Sequence, residues 1–245
     1  MGMKMLNALL MTAITNVYAL GPCDIFAIGK TPCVAAYSTT RALFDAYNGT
    51  LYIVRRASDN ATTEIGLLQA GGVADSAAQD AFCGTSDCFI AKIFDQSSQK
   101  NHLVAAPARR GHVDLEVNAT REPITLGGKK VYGAYFEQGP LKHTPKEVGM
   151  GYRNDTTTGI AKGDEPETIY MVTAGDHYNA ACCFDFGNAE TRIGDAGAGM
   201  YNLISPLIAQ ASSGVCYQSH AHPLFMCDVM QALWKLSAGP TEHGE

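Results

Sequence analysis

Short apolar runs separated by turn-forming residues dominate the hydrophobic pattern of the chain. Each run is rich in β-branched and aromatic residues and is bounded by Gly, Asn, Asp or Ser, as is typical of strands that alternate with turns. The pattern predicts an all-β protein, a sandwich of sheets. The strands are expected within GTLYIVRRA (49–57), CFIAKIFDQ (88–96), REPITLGG (121–128), KVYGAYFEQ (130–138) and ETIYMVTAG (167–175).

One helix is predicted before the first of these strands. Ser38 or Thr39 is a suitable N-cap, because a side-chain hydroxyl can accept a hydrogen bond from the first helical turn. Leu43, Phe44 and Tyr47 then follow at helical spacing.

The first twenty residues, MGMKMLNALLMTAITNVYAL, have the pattern of a secretory signal peptide. A single early lysine precedes an apolar run, and the segment ends on Val17-Tyr18-Ala19, which fits the small-x-small rule for cleavage. A membrane anchor is the competing interpretation, but the run is short and contains two asparagines. We expect residues 1–20 to be removed by cleavage after Ala19 or Leu20, and the protein to be secreted and extracellular.

The charge of the chain restricts its partners. The formal net charge is −6, and removing residues 1–20, which hold one lysine and no acidic residue, makes it −7. An acidic protein is a poor partner for nucleic acid or for an anionic membrane surface. The balance is compatible with a neutral substrate such as a sugar, and we expect a monomer.

Eight cysteines in an exported chain indicate disulfides rather than metal ligands. Cys23 and Cys33 lie ten positions apart, and Cys83 and Cys88 flank the turn sequence GTSD. Connectivity cannot be derived from sequence, but these local pairs would leave the adjacent Cys182 and Cys183 for each other. Whether Cys216 pairs with Cys227 stays open.

Four sequons agree with export, and they predict N-glycosylation at Asn48, Asn60, Asn118 and Asn154.

The polar stretch DQSSQKNHL (95–103) is predicted to be a hydrogen-bonded turn formed by Asp95, Gln96, Asn101 and His102. No spacing of His, Cys or Asp suggests a metal site, and no cofactor is expected.

Six stretches, in order from residue 21 to about 199, carry a specific resemblance. They are GPCDIFAIGKTPCVAAYSTTRALFDAYNGTLY, AGGVADSAAQDAFC, DQSSQKNHL, GYRN, GDEPETIYMV and HYNAACCFDFGNAET. The chain resembles the catalytic domain of the family 54 glycoside hydrolases, the fungal α-L-arabinofuranosidases of the B type.

The resemblance implies a catalytic β-sandwich of the concanavalin-like or jelly-roll type over residues 21–199. It implies retaining hydrolysis of terminal arabinofuranosyl groups from arabinan and arabinoxylan in the plant cell wall. It also implies that Cys182 and Cys183 form a vicinal disulfide against which arabinose packs. A rigid, polarisable ring of this kind can cover the apolar side of a furanose without losing entropy on binding.

The family pattern breaks down after Gly199, so residues 200–245 are expected to be a divergent remainder of an incomplete sandwich. The pattern returns faintly in PLFMCDVMQALW (223–234), where Asp228 matches a sugar-binding aspartate. Met230 stands where the nucleophilic glutamate belongs, and Gln231 replaces an asparagine. The family's β-trefoil, which binds arabinose side chains, is expected to be absent.

Catalytic carboxylates are therefore unidentified. Other acidic residues lie around the cysteine pair, but turn formation, capping or solvation explains each of them equally well: Asp176, Asp185, Glu190 and Asp195. Three accounts stay open. The chain is an arabinofuranosidase, a catalytically inactive arabinose-binding relative, or a truncated product that does not fold.

Overall fold

The computed structural model of the protein describes residues 20–105, 115–136, 150–154, 156–161, 166, 168, 170–172, 185–188 and 202–204. Most of the regular structure in these ranges is β-strand. The two helices are α1 (Pro22–Ile28) and α2 (Ser76–Cys83). The strands are β1 (Tyr52–Arg56), β2 (Thr62–Ile65), β3 (Cys88–Ile93), β4 (Leu103–Ala105), β5 (Asn118–Leu126), β6 (Lys129–Tyr135), β7 (Gly151–Arg153), β8 (Asp185–Asn188) and β9 (Asn202–Ile204).

The described strands are joined in the order β2-β1-β3-β4-β7-β8-β9, and β5 branches from β3 to pair with β6. Neighbours are antiparallel except for β7 and β8, which run parallel. The prediction of an all-β protein of the β-sandwich class is confirmed. Neither helix of the described region has the length or apolar character needed to cross a bilayer.

Four of the five predicted strand runs contain strands, namely β1, β3, β5 and β6. The fifth run, residues 167–175, was also predicted to be a strand. This prediction is wrong where the structure describes the run, because residue 168 and residues 170–172 carry no strand. Neither helix was predicted. Asp75 caps α2 by accepting a hydrogen bond from the Ala78 N–H (3.0 Å), and Gly84 follows the helix with a φ of 56°.

The predicted helix after residue 38 is also wrong: this segment holds turns and an isolated bridge from Arg41 to Val73. The backbone N–H groups in the middle of this segment bond to distant parts of the chain instead of to the preceding turn. Ala42 donates to the Gly72 carbonyl (2.8 Å) and Leu43 to the side chain of Gln96 (2.7 Å). Tertiary hydrogen bonds thus outweigh the local helical spacing.

A β-bulge explains why the apolar alternation of β3 changes phase. Cys88 and Ile90 are buried, and the next buried residue is Ile93 rather than Lys92. In the pairing with β1, Val54 lies opposite Ile90 while Ile53 lies opposite Lys92, which leaves Ala91 as the extra residue. A bulge of this kind turns the following side chains to the other face of the strand.

The core fills the space between the strands and α2. Its fully buried side chains include Leu51, Val54, Ile65, Ile90, Ile93, Leu103, Val117 and Val131. The buried Tyr52 hydroxyl donates to Gln79 of α2 (2.6 Å), and the Gln79 amide donates to the Ala119 carbonyl (2.8 Å). This chain of bonds satisfies the polar atoms that packing α2 on the sheet buries.

Both local disulfides expected from the sequence are present. Cys23 is bonded to Cys33, which ties α1 to the segment that follows it. Cys83 is bonded to Cys88, which ties the end of α2 to the start of β3. Crosslinks of this kind stabilise a fold mainly by restricting its unfolded chain.

The stretch 95–103 forms the hydrogen-bonded turn that was predicted, and its centre is the fully buried carboxylate of Asp95. The carboxylate accepts hydrogen bonds from the N–H groups of Ala36, Ser97 and Asn101 and from the Ser97 hydroxyl, all at 2.8 Å. A buried carboxylate is tolerated only with such partners. Asp95 therefore ties the strand ends at this turn to the segment before residue 37.

The Asp95→Asn substitution should lower the free energy of unfolding by about 2–4 kcal/mol, because an amide NH₂ would replace an oxygen that accepts two hydrogen bonds. Asp75→Asn is the matched control and should cost less than about 0.5 kcal/mol, because asparagine is an equally good N-cap. Urea unfolding measures both. Equal effects of the two substitutions would contradict the role assigned to Asp95.

Candidate functional site

The residues predicted to contact the sugar, Cys182, Cys183 and Asp228, lie outside the described residues, as does Met230. The same holds for Asp176, Glu190 and Asp195. Asp185 is described as the first residue of β8. The framework around β8 is therefore the part of the predicted site that the structure shows.

Strand β8 begins two positions after Cys183 and is paired on both sides. Its parallel partner β7 places Gly151 opposite Asp185 and Tyr152 opposite Phe186. Its antiparallel partner β9 places Ile204 opposite Phe186. The Asn154 N–H donates to the Gly187 carbonyl (3.0 Å), which extends the β7 pairing by one more bond.

An aromatic cluster of Tyr37, Phe136, Tyr152 and Phe186 fixes β8 from one face. The Phe186 ring meets Tyr37 edge-to-face at 5.6 Å and Phe136 at 6.3 Å between ring centroids. Phe136 in turn meets Tyr152 edge-to-face at 5.9 Å. Perpendicular aromatic pairs have a preferred geometry, so the cluster orients the strand as well as burying it.

Tyr152 anchors this cluster to the core of the sheet. Its buried hydroxyl donates to the Ile90 carbonyl of β3 (2.6 Å) and accepts from the Val117 N–H (2.9 Å). Burial raises the pKa of the Tyr152 hydroxyl well above its ordinary value. Tyr152 therefore acts as a neutral crosslink between β7, β3 and the start of β5.

Tyr37 connects the aromatic cluster to the Asp95 turn. Its hydroxyl donates to the Asn101 carbonyl (2.5 Å), and burial, followed by the nearby Asp95, raises its pKa. The Asn101 side chain accepts from the Thr158 N–H and donates to the Thr158 carbonyl, both at 2.8 Å. The loop after β7 is thus held to the same turn.

His102 is the histidine of this turn. Its Nδ1 accepts a hydrogen bond from the Asp95 N–H (3.1 Å), and its ring meets Phe94 at 4.8 Å. Burial is the main reason that the pKa of His102 is below its ordinary value, and Lys92 and Lys100 add to this while Asp95 opposes it. Protonation of Nδ1 would break the bond from Asp95, so the folded protein favours neutral His102.

A second cluster of ionisable side chains, formed by Asp80, Lys130 and Tyr132, lies at an open groove of about 380 Å³ beside the Cys83–Cys88 disulfide. The Asp80 carboxylate accepts from the Tyr132 hydroxyl (2.7 Å) and pairs with the Lys130 ammonium. Burial raises the pKa of Asp80, but the bonds from Lys130 and Tyr132 outweigh it and leave the pKa below its ordinary value. An ionised, paired carboxylate of this kind is unsuited to act as a general acid.

Many of the described carboxylates have hydrogen-bond partners. Backbone N–H groups, hydroxyls or cations bind the side chains of Asp24, Asp59, Glu64, Asp75, Asp80, Asp95 and Glu116. The described residues also hold no cluster of three His, Cys, Asp or Glu side chains that could bind a metal ion. These carboxylates thus hold segments of the described framework together.

The family described as "Alpha-L-arabinofuranosidase B, catalytic" matches residues 22–243. The chain belongs to this family. It is 49% identical over 204 residues to a probable α-L-arabinofuranosidase B of Aspergillus flavus, and 50% identical over 198 residues to α-L-arabinofuranosidase B of Emericella nidulans. These matches cover 80% and 78% of this chain but only 38% and 37% of the two relatives. The chain thus spans well under half of the length of the curated relatives it matches.

Solved structures agree with the arabinofuranosidase B family. A GH54 α-L-arabinofuranosidase soaked with a cyclic sulfate inhibitor is 44% identical, with a TM-score of 0.68 over 88% of this chain and 43% of that one. An arabinofuranosidase complexed with arabinofuranosyl-α-1,2-xylobiose is 49% identical, with a TM-score of 0.62 over 70% of this chain and 35% of that one.

Two features of the arabinofuranosidase B framework have little or no local signal in the sequence. The cluster of Asp80, Lys130 and Tyr132 beside the groove has one local signal, since Lys130 and Tyr132 share a face of β6 at a spacing of two. The aromatic cluster has none, because Tyr37, Phe136, Tyr152 and Phe186 come from four distant segments. The pairing of β7 with β8 places Tyr152 opposite Phe186, and tertiary packing adds Tyr37 and Phe136.

Acid should weaken the fold through His102. A histidine whose folded pKa is lowered contributes its full stability above the unfolded pKa of about 6.5 and loses it as the pH falls towards the folded pKa. His102→Gln keeps an acceptor but does not titrate, so its stability should fall less between about pH 7.5 and pH 5. The urea midpoints of the two proteins across this pH range measure the difference. If both midpoints fall equally as the pH is lowered, the role assigned to His102 is refuted.

Proposed function

We propose that this protein is an α-L-arabinofuranosidase that removes terminal arabinofuranosyl groups from arabinan and arabinoxylan with retention of configuration. The observation that carries the proposal is the family match over residues 22–243, supported by 49% identity to a named relative. Since the match continues past residue 199, it also supports residues 200–245 as the remainder of the same catalytic domain.

The arabinose subsite of this proposal is the vicinal disulfide of Cys182 and Cys183, with Asp228 as a polar partner of the sugar. Chain connectivity supports the placement, because β8 starts two residues after Cys183 and is fixed on one face by the aromatic cluster. A plate that packs on a furanose must be held rigidly if it is to bind without an entropic cost. The β7–β8 pairing and the ring of Phe186 supply that rigidity.

Retaining hydrolysis needs two carboxyl groups about 5–5.5 Å apart, one as nucleophile and one as acid/base. Met230 stands at the position expected for the nucleophile, and a thioether cannot form the glycosyl ester. This residue favours a second candidate function, a secreted arabinose-binding protein that keeps the sugar subsite and lacks turnover. A chain that does not fold is the third account.

Hydrolysis of 4-nitrophenyl α-L-arabinofuranoside by the purified protein tests the proposal, and steady release of nitrophenol is expected. Replacing both Cys182 and Cys183 with Ala should raise KM about 10–100-fold, because the sugar loses its plate. Replacing Cys83 and Cys88 with Ala is the matched control; it should lower the stability by about 2–4 kcal/mol and leave KM unchanged.

The other outcomes separate the alternatives. If the protein releases no nitrophenol but arabinose raises its melting temperature, it is a binding protein. Met230→Glu should then release about one nitrophenol per chain, because a glutamate can form the glycosyl ester while the aryl leaving group needs little acid assistance. If the protein shows no cooperative melting, the account of a truncated product is correct.

The proposal includes secretion, and the disulfides Cys23–Cys33 and Cys83–Cys88 support it because such bonds persist in oxidising compartments.

The four predicted glycosylation sites differ in their surroundings. Asn48 and Asn60 are exposed. The amide of Asn118 donates to Asp87 (3.3 Å), and that of Asn154 donates to the His102 carbonyl (3.0 Å).

Glycan occupancy should therefore be higher at Asn48 and Asn60 than at Asn118 and Asn154, because the attached sugar needs an amide nitrogen that faces solvent. Peptide mass spectrometry after enzymatic deglycosylation in heavy-oxygen water measures the occupancy of each site. Thr62→Ala, which destroys the Asn60 sequon alone, is the control for assignment. Full occupancy of Asn154 would contradict the prediction.

A further inference from the structure

The Asp24 carboxylate lies at the point where the folded protein begins. Its Oδ2 atom accepts a hydrogen bond from the Gly21 N–H (3.0 Å) and another from the Asp45 N–H (2.7 Å). It therefore joins the first residues of α1 to the loop before β1. In the unprocessed chain the Gly21 donor is an ordinary peptide amide.

Gly21 is seated so closely that no other residue fits. It is buried, and a Cβ atom at this position would lie 2.4 Å from the Leu43 carbonyl oxygen. The same carbonyl accepts the Cys23 N–H (2.9 Å), and the Cys23–Cys33 disulfide holds the segment in place. By contrast Leu20, the residue before it, is 51% exposed. The Leu20–Gly21 bond thus joins an outward-facing residue to a fixed one.

We propose that processing at the Leu20–Gly21 bond creates an ion pair between the new α-amino group of Gly21 and Asp24. Hydrolysis adds one water: Leu20 leaves with a carboxylate, and the Gly21 nitrogen takes a proton and becomes an ammonium. This nitrogen already lies 3.0 Å from the Asp24 oxygen. The neutral hydrogen bond becomes a charge-assisted one, which is roughly twice as strong. The inference rests on the proposed secretion.

The charges around the Gly21 nitrogen favour the ammonium. The acidic side chain at this nitrogen is Asp24, whose Oδ2 atom lies 3.0 Å away, whereas Asp45 contacts that oxygen through its backbone N–H. The N-terminal end of α1 opposes a positive charge, but α1 has only 7 residues and its dipole acts within one turn. The ammonium form is therefore stabilised in the folded protein relative to the unfolded chain.

The pH dependence has a definite sign. An α-amino group titrates at about 7.7–8.0 in the unfolded chain, and the ion pair raises this value in the folded protein. The stabilisation is fully present below the unfolded value and is lost as the pH rises through the folded value. A chain that still carries Leu20 has an amide at this position, which does not titrate.

Two proteins that differ by one residue test the proposal: residues 21–245 and residues 20–245, each released from a fusion that leaves no extra residue, in an oxidising host. Near pH 6 the chain that begins at Gly21 should melt about 3–6 °C higher. This difference should shrink towards about pH 10, as the ammonium loses its proton.

Asp24→Asn should abolish the difference between the two chains, whereas Asp45→Asn should preserve it, because Asp45 contacts Asp24 through its backbone N–H, which the substitution keeps. Equal melting temperatures of the two chains at every pH would overturn the proposal and leave Asp24 as a simple helix cap. So would N-terminal sequencing of the secreted protein that begins at any residue other than Gly21. None of these measurements involves a sugar, so the result is independent of whether the protein hydrolyses or binds arabinofuranosides.

Discussion

The buried carboxylate of Asp95 is the interaction on which the arrangement of the described residues depends. It is fully enclosed, and three N–H groups and one hydroxyl surround its two oxygens. Removing such a charge from water is costly unless every oxygen is bonded. The segments that contribute these donors therefore have to converge on one place. The chain before Tyr37 and the turn between β3 and β4 are fixed relative to each other for this reason.

The consequences extend from this turn to β8. Tyr37 bonds to the Asn101 carbonyl and places its ring against Phe186, so the polar centre and the aromatic cluster share one residue. Tyr152 joins the cluster to β3 and β5 through its hydroxyl. The start of β8, two residues after Cys183, is thus supported by contacts that reach β7, β3 and the turn at Asp95. A rigid support is what a sugar-binding plate requires.

Framework and chemistry are separable in this protein. The family match covers residues 22–243, and the aromatic cluster that supports β8 lies among the described residues. Burial and hydrogen bonding hold this support together. Under the proposed function, binding of arabinose depends on the cysteine pair, whereas hydrolysis of its glycosides depends on the residue at position 230. Kinetic measurements and binding measurements report on different parts of this one chain.

The sequence by itself determined the all-β class, four strands, the family and the polar turn at Asp95, because these follow from short stretches of residues. It suggested the local disulfides Cys23–Cys33 and Cys83–Cys88, but the structure decided their pairing. The tertiary structure decided what local patterns cannot encode. The apparent helix after Ser38 is absent because Gly72 and Gln96 take its N–H groups. The bulge at Ala91 and the aromatic cluster arise from pairing between distant strands. Side chains that come into contact only when distant strands pair leave no periodic pattern in the sequence.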